Sequence, residues 1–212
     1  RSAVGAGIKA WSVDSNSELQ KLFEQVPADD CEISPRFKLP VLGAAYDFGS
    51  KFGASPELAA DLLRQVADRG YIASLTFHPG TQCTDPAAWE QYIRTAAEIA
   101  DMAGVRPRRL NVGGGFPSVY PGMVPPDLNE YAEAIHRGFN EMPVSETTEL
   151  WCEPGRALVA ESSSVLARVD LRKGDALYLN DGSYGSLFDA THSRWPFPTK
   201  LVRDGESAGE LK

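Results

Sequence analysis

Three segments of the sequence combine residue types that could bind a flat, charged ligand. "HPGTQC" follows a short apolar run at 72–77, "GGGFP" follows a run at 109–112, and "EPGR" follows a run at 149–152. Glycine weakens a strand, and it allows the backbone to approach another group closely. The glycine triplet is therefore compatible with a phosphate held by backbone N–H groups, but an isolated triplet is more often a tight turn that binds nothing.

The chemistry of the three segments suits a phosphorylated aromatic cofactor. Thr81 and the glycine N–H groups can donate to a phosphate, Arg156 can add positive charge, and His78 presents a flat ring. Glu153 is the most specific residue, because a carboxylate next to a pyridine nitrogen keeps that nitrogen protonated. A pyridinium makes pyridoxal phosphate an effective electron sink, so the sequence predicts a pyridoxal phosphate site shared by three segments.

The elements that would position these segments alternate between strand and helix. The predicted strands are 8–13, 36–41, 72–77, 109–112 and 149–153. Four helices are predicted. The first begins after Ser15, which forms a capping box with Glu18, and the second spans 56–68 after Ser55. The third runs from Asp85 to Gly104, and the fourth begins after Asp127, which caps it together with Glu130. This repetition indicates parallel strands joined by crossover helices, in a doubly wound sheet or a barrel. Both folds place ligands at the carboxyl ends of the strands.

The pattern changes near residue 163. Two β runs, 163–172 and 176–188, are joined by Lys-Gly-Asp with no helix between them, which is typical of a hairpin. We therefore predict a barrel domain at 1–162 and the beginning of a β-rich domain at 163–212.

Composition excludes several classes of function. The 212 residues are 42% hydrophobic and 24% charged, with a net charge of -8, which is typical of a globular protein with one sizeable core. No basic cluster suggests nucleic acid as a partner, and no apolar run predicts a membrane span or a signal peptide, so a cytoplasmic location is expected. Cys31, Cys83 and Cys152 form no CxxC pair, so they are interpreted as structural thiols without a metal.

Four motifs occur in order along the chain: "FHPGTQCTDP", "LNVGGGFP", "CEPGRALVA" and "YLNDGSYGSLFDA". Together they resemble the ornithine/lysine/arginine/diaminopimelate decarboxylases, which are pyridoxal phosphate enzymes of the alanine racemase-like kind (fold type III). The phenylalanine after the glycines and "NDGSYGS" are more similar to ornithine decarboxylases than to diaminopimelate decarboxylases. The resemblance implies an α/β fold, a partial TIM-type β/α barrel whose first strands are missing, followed by the start of a β-rich domain.

The resemblance also implies roles for individual residues. Glu153 would pair with the pyridine nitrogen and His78 would stack on the ring, so both are predicted to be catalytic. The predicted cofactor-binding residues are His78, Thr81, Gly113, Gly114, Gly115, Glu153, Gly155, Arg156 and Tyr184, although core packing is an equal alternative for Tyr184. Asp189 would bind the distal amine of the substrate, and no metal is implied.

The sequence departs from the family at several positions. Thr81, Pro79 and Gln82 stand where the family usually has serine, valine and glycine. The family's lysine motif, which binds the cofactor covalently, and its C-terminal cysteine motif are both absent. Lys9 lies in a segment that matches a later strand, and it is interpreted as a surface lysine. We therefore expect the chain to be an internal segment that is not active alone.

The resulting functional prediction is decarboxylation of a basic amino acid by the intact protein. L-ornithine, giving putrescine and carbon dioxide in polyamine biosynthesis, is the preferred substrate, and the family implies a homodimer with shared active sites. Lysine or diaminopimelate decarboxylation, and a non-catalytic decarboxylase-like regulatory protein, are the alternatives. A nucleotide-binding domain is disfavoured, because "GGGFPSVYPG" lacks GxGxxG and is followed by prolines instead of a helix N-terminus.

Overall fold

The computed structural model describes residues 2–39, 51–143, 145–193, 196–203 and 206–210. The chain divides into two compact units. The first comprises residues 1–117 and 126–157, and the second comprises residues 118–125 and 158–212. The domain boundary expected at residues 162 and 163 stays a prediction.

Helices and strands alternate through most of the chain. The helices are α1 (Ser2–Gly5), α2 (Asn16–Gln25), α3 (Pro56–Asp68), α4 (Ala87–Ala103), α5 (Leu128–Glu141), α6 (Arg156–Val159) and α7 (Phe188–Ser193). The strands are β1 (Ala10–Val13), β2 (Glu32–Pro35), β3 (Ile72–Ala73), β4 (Leu75–Thr76), β5 (Arg109–Asn111), β6 (Glu149–Trp151), β7 (Val169–Lys173), β8 (Ala176–Leu179), β9 (Lys200–Arg203) and β10 (Glu206–Glu210).

The strands of the first unit are parallel and lie side by side in chain order. One sheet has the order β1-β2-β3 and the other has the order β4-β5-β6. A further parallel bridge joins Arg36, just after β2, to Thr76 of β4. A doubly wound sheet reverses its strand order, whereas a β/α barrel keeps chain order. The α/β class is therefore confirmed, and the order is that of a barrel segment.

Local signals explain where the long helices begin and end. The Ser55 hydroxyl accepts from the N–H of Leu58, and Pro56 occupies the first turn of α3. Asp127 and Glu130 form both bonds of a capping box at the start of α5. Helix α4 ends at Gly104, whose φ of 67° is left-handed. These helix predictions are confirmed.

Two strand predictions need correction. The strand expected at 36–41 lies earlier, at β2. Of the described residues 36–39, Arg36 and Phe37 form isolated bridges, and residues 40 and 41 lie outside the described residues. The run at 72–77 forms two short strands that separate at Ser74, because β3 pairs with β2 and β4 pairs with β5. Pairing with distant neighbours, which the local sequence does not contain, determines both outcomes.

A core of aliphatic and aromatic side chains packs the helices against the strands. The largest fully buried side chains are Trp89, Tyr131, Phe37, Phe77, Leu19, Ile33, Leu62, Leu63, Leu75, Ile93, Ile99 and Leu110. Phe77, which directly follows β4, stacks on Tyr92 of α4 with ring centroids 4.6 Å apart. Such pairs stabilise beyond their buried area, so α4 holds the end of β4 in a defined position.

The second unit contains short antiparallel pairs. β7 and β8 form the predicted hairpin, with Gly174 at a left-handed φ of 57° in the turn, and β9 pairs with β10. The expected runs at 163–172 and 176–188 were too long, because pairing begins only at Val169 and ends at Leu179, and Phe188 already begins α7. Among the described residues, no helix is both long enough and apolar enough to cross a membrane.

Candidate active site

The three candidate segments meet at the carboxyl ends of neighbouring strands. His78 follows β4, the glycine run follows β5, and Glu153 follows β6. A Cβ atom built on Gly114 would lie 2.7 Å from the backbone oxygen of Glu153 and 3.3 Å from Nε2 of His78. The structure therefore brings these predicted residues together at one edge of the sheet, which we call the carboxyl edge.

Gly113 and Gly115, on either side of Gly114, lie where a side chain would clash with neighbouring backbone. Gly113 has a φ of 67°, and a Cβ there would lie 2.1 Å from the backbone oxygen of Phe77. Gly115 has a φ of 94°, and a Cβ there would lie 2.2 Å from the backbone oxygen of Gly80. The glycines are needed first because the protein's own segments approach so closely. The backbone of the turn, the imidazole of His78 and the carboxylate of Glu153 thus lie together, and the chemistry of these groups fits a phosphorylated aromatic ring.

Buried contacts hold the glycine turn in place. Phe116 follows the turn, is 6% exposed and stacks on Trp89 with ring centroids 4.8 Å apart. The backbone N–H of Cys83 donates to the oxygen of Gly115 over 3.0 Å. The turn is therefore fixed on one side by the core and on the other by the segment that carries His78.

The ring of His78 is partly buried and held by its own loop. Its Nδ1 accepts from the backbone N–H of Gly80 over 3.0 Å, so in the neutral ring the proton lies on Nε2. Burial is the main cause that lowers the pKa of His78, and the charge of Arg36 lowers it further, whereas Glu153 opposes the shift. A neutral, flat imidazole follows near neutral pH.

Glu153 is held by backbone and side-chain bonds. Its N–H donates to the oxygen of Gly113 over 2.8 Å. Its Oε1 accepts from Nδ2 of Asn111 over 3.1 Å, and Oδ1 of Asn111 accepts from the N–H of Gly113 over 2.9 Å. Sequence reasoning missed Asn111. The signal was a polar asparagine inside the apolar run 109–112, two residues before the first glycine, where its side chain can fold back onto the turn.

The loop after His78 carries the positions that depart from the family. Thr81 is partly buried, and Pro79 is buried. Gln82 is 1% exposed and has a left-handed φ of 57°, which explains why glycine suits this position. Gln82 therefore adopts a backbone conformation that favours glycine, although it carries a side chain.

The remaining predicted residues have different surroundings. Gly155 has open space where a Cβ would stand, and Arg156, partly buried, begins the short helix α6. In the second unit, Tyr184 is fully exposed, and the backbone of Asp189 lies in α7. The binding roles of these four residues stay predictions.

The structure also shows the surroundings of Cys83, of Lys9 and of the side chains that could bind a metal. Cys83 is fully buried and its Sγ lies 3.7 Å from the backbone oxygen of Asp85, while burial raises the pKa of its thiol, so it is a packed thiol. The side chain of Lys9 is 60% exposed and pairs with Asp30, which confirms a surface lysine. Within the described part of the chain, no three His, Cys, Asp or Glu side chains are grouped so as to hold a metal ion.

Comparison with known proteins gives one family match and several relatives. The family model described as "Pyridoxal-dependent decarboxylase, pyridoxal binding domain" matches residues 1–160. A lysine/ornithine decarboxylase of Selenomonas ruminantium is 29% identical over 97% of this chain and 53% of its own length. An ornithine decarboxylase of Panagrellus redivivus is 33% identical over 88% of this chain and 49% of its own length.

A solved structure shows the same fold. The lysine/ornithine decarboxylase of Vibrio vulnificus, solved with putrescine, is 26% identical and superposes with a TM-score of 0.79 over 95% of this chain and 54% of its own. The chain thus spans about half the length of the relatives that it matches.

Proposed function

The chain belongs to the pyridoxal-dependent decarboxylases and carries their pyridoxal-binding domain, and from this we propose that the intact protein decarboxylates a basic amino acid, L-ornithine first among them. The single observation that carries the proposal is the meeting of His78, the glycine turn and Glu153 at the carboxyl edge. The cofactor of the family is pyridoxal phosphate, and the chemistry of these residues fits it.

The first step of the proposal is binding. Backbone N–H groups of Gly114 and Gly115, the hydroxyl of Thr81 and the guanidinium of Arg156 would hold the phosphate. The neutral ring of His78 would pack against the flat face of the cofactor, because the lowered pKa of His78 keeps a competing positive charge away.

The second step concerns charge. When bound, the cofactor supplies the electron sink for loss of the substrate carboxylate. Glu153 would hold a proton on the ring nitrogen, since a carboxylate in hydrogen-bond distance favours the charged pyridinium. The buried aromatic residues behind the turn keep the backbone fixed while this charge is held, so orientation and electrostatics are the protein's contribution.

The most specific part of the proposal is the choice of substrate. Relatives named ornithine decarboxylase and lysine/ornithine decarboxylase support a diamine-forming reaction, with putrescine as the product from ornithine. Ornithine and lysine differ by one methylene, which hydrophobic pockets separate only by about 10- to 200-fold. Asp189 is proposed to bind the distal amine and Tyr184 to reach the cofactor. A homodimer with shared active sites completes the proposal, and the cytoplasmic location stays a prediction.

The test offers ornithine, lysine, arginine and diaminopimelate to the intact protein with pyridoxal phosphate. We expect carbon dioxide and the matching amine, with ornithine used best. Glu153→Gln should lower kcat about 100-fold, because one electrostatic partner of the reacting centre is lost. Glu146→Gln, the same change in a loop ahead of β6, is the matched control and should leave kcat unchanged.

Two results would contradict the proposal. Absence of product from all four amino acids would overturn it and favour the non-catalytic regulatory alternative. Equal kcat for the Glu153→Gln and Glu146→Gln variants would remove Glu153 from the chemistry.

A further inference from the structure

Asn111 uses both ends of its side-chain amide at the carboxyl edge. Its Oδ1 accepts from the N–H of Gly113 over 2.9 Å, and its Nδ2 donates to Oε1 of Glu153 over 3.1 Å. Only this orientation of the amide satisfies both partners, because the reverse would place donor against donor and acceptor against acceptor. The side chain therefore has one defined position between the turn and the carboxylate.

The backbone around Asn111 makes it a firm support. Asn111 pairs with Thr76 of β4 on one side and with Trp151 of β6 on the other. Its backbone oxygen also accepts from the N–H of Phe77 over 3.2 Å. A residue bound to both neighbouring strands has little freedom, so a group bonded to its side chain is held at a fixed place.

A third bond closes a ring of contacts. The N–H of Glu153 donates to the oxygen of Gly113 over 2.8 Å, so the two segments that Asn111 joins are also joined directly. The side chain of Glu153 is otherwise exposed and has several rotatable bonds. Without the amide of Asn111, its backbone would stay in place but its carboxylate would lose a defined direction.

From this geometry we propose that Asn111 is the positioning residue of the site: it sets the left-handed turn at Gly113 and aims the Glu153 carboxylate at the cofactor's ring nitrogen. The inference rests on the proposed function, because it assumes that pyridoxal phosphate occupies the carboxyl edge. Asn111 acts through Gly113 and Glu153, and it need not touch the cofactor.

Two substitutions separate the two bonds. Asn111→Asp keeps an oxygen that accepts from Gly113, but it replaces the donor to Glu153 with a second carboxylate oxygen, and the like charges repel at this distance. Asn111→Ala removes both bonds. Asn16→Asp is the matched control, because the side-chain bond that Asn16 makes with the described residues is accepted by its Oδ1, from Nε2 of Gln65 over 2.8 Å, and Asp keeps that oxygen.

The experiment measures apparent dissociation constants for two ligands on the intact protein. One ligand is pyridoxal phosphate, and the other is its carbocyclic analogue, in which a C–H group replaces the ring nitrogen. Only the first ligand can bond to Glu153 through the ring, so the ratio of the two constants reports how well Glu153 is aimed. The two ligands share the phosphate and the aldehyde, so the ratio cancels their contributions.

We expect wild type and Asn16→Asp to prefer pyridoxal phosphate at least tenfold. Asn111→Asp should reduce this preference to about one, while its thermal unfolding stays close to that of wild type. Asn111→Ala should lose the preference and also bind both ligands more weakly, because the turn loses its bond.

The possible results separate the positioning role of Asn111 from the proposed function of the site. Preference in Asn111→Asp equal to that of wild type would overturn the positioning role, even if Asn111→Ala is destabilised. Wild type that binds neither ligand would overturn the proposed function itself, and with it the inference. Equal binding of both ligands by wild type would show that Glu153 does not address the ring nitrogen.

Discussion

The two ends of strand β5 carry different contacts: ion pairs at its start and a hydrogen bond from an amide to a carboxylate at its end. At its start, Arg109 pairs with Glu32 at the start of β2 and with Glu149 at the start of β6, in a group that we call the amino edge. The Cζ atom of Arg109 lies over the ring of Trp151, 3.6 Å from its centroid. At its end, two residues later, Asn111 joins an uncharged turn to one carboxylate, that of Glu153.

One short strand thus separates the residues that stabilise the sheet from those that face a ligand. At the amino edge, each charge faces an opposite charge, and the side chains of Arg109 and Glu32 are only 19% and 12% exposed. These pairs link strands of both sheets. At the carboxyl edge the carboxylate of Glu153 is bound by a neutral amide, so its charge remains to act on a ligand. The account therefore predicts that stability and binding can be changed separately.

The largest expected effect is on stability, at the amino edge. Arg109→Met leaves Glu32 buried without its partner, which should lower the free energy of unfolding by about 3–5 kcal/mol. Affinity for pyridoxal phosphate in the folded protein should not change. Urea unfolding and ligand titration of the intact protein measure the two quantities.

An exposed ion pair provides the control for that change. Arg168→Met removes a pair with Asp170 in which both side chains are exposed, at 76% and 46%, and should cost less than about 1 kcal/mol. Equal losses from Arg109→Met and Arg168→Met would contradict a supporting role for the amino edge.

The next effect combines stability and binding at the carboxyl edge. Gly113→Ala places a Cβ 2.1 Å from the backbone oxygen of Phe77 at a left-handed φ, so the turn must shift, at a cost of about 2–3 kcal/mol. Cofactor affinity should fall at least tenfold, which is about 1.4 kcal/mol. The same urea and titration measurements apply.

Gly70 is the matched control for conformation without crowding. It has a φ of 79° and nothing within 4 Å of a built Cβ. Gly70→Ala should cost only about 1 kcal/mol and leave cofactor affinity intact. If both alanine variants bind the cofactor like wild type, the turn is a structural feature and the comparison between the two edges fails.

The smallest effect is the pH dependence that His78 gives to stability. Because the pKa of His78 is lowered in the folded protein, the unfolded chain binds a proton that the folded ring resists. Its contribution is complete above the unfolded pKa, about 6.5, and is lost as pH falls below that value. Arg36→Met removes a charge that lowers the pKa of His78, so the loss of stability between pH 7 and pH 5 should become smaller.

Unfolding midpoints at a series of pH values measure this effect. His136→Gln, on the exposed face of α5, serves as the control for loss of a histidine elsewhere. An unchanged pH dependence in Arg36→Met, together with a changed one in His136→Gln, would show that the acid sensitivity does not come from the carboxyl edge.

The sequence predicted most reliably the features that have local causes. Ser55 with Pro56, and Asp127 with Glu130, are caps that act within one turn, and both helices begin where these signals place them. The meeting of His78 with Glu153 was also predictable, because carboxyl ends of parallel strands share one edge.

The features that escaped prediction depend on distant partners. Glu32 looks like a surface residue until Arg109, 77 positions away, pairs with it and buries it in β2. Asn111 looks like an ordinary strand residue until Glu153, 42 positions away, accepts its side-chain amide. Ser74 divides a continuous apolar run because the strands on its two sides pair with different neighbours. Pairing of this kind is set by the whole fold.

A crystal structure of the intact protein grown with pyridoxal phosphate would show whether the carboxyl edge is the active site. The account predicts the phosphate against the backbone of the glycine turn, the ring against His78, and the ring nitrogen next to Glu153, with Arg109 and Glu32 paired as before. Cofactor bound at another place, or with its ring nitrogen turned away from Glu153, would contradict the assignment of the carboxyl edge as the active site.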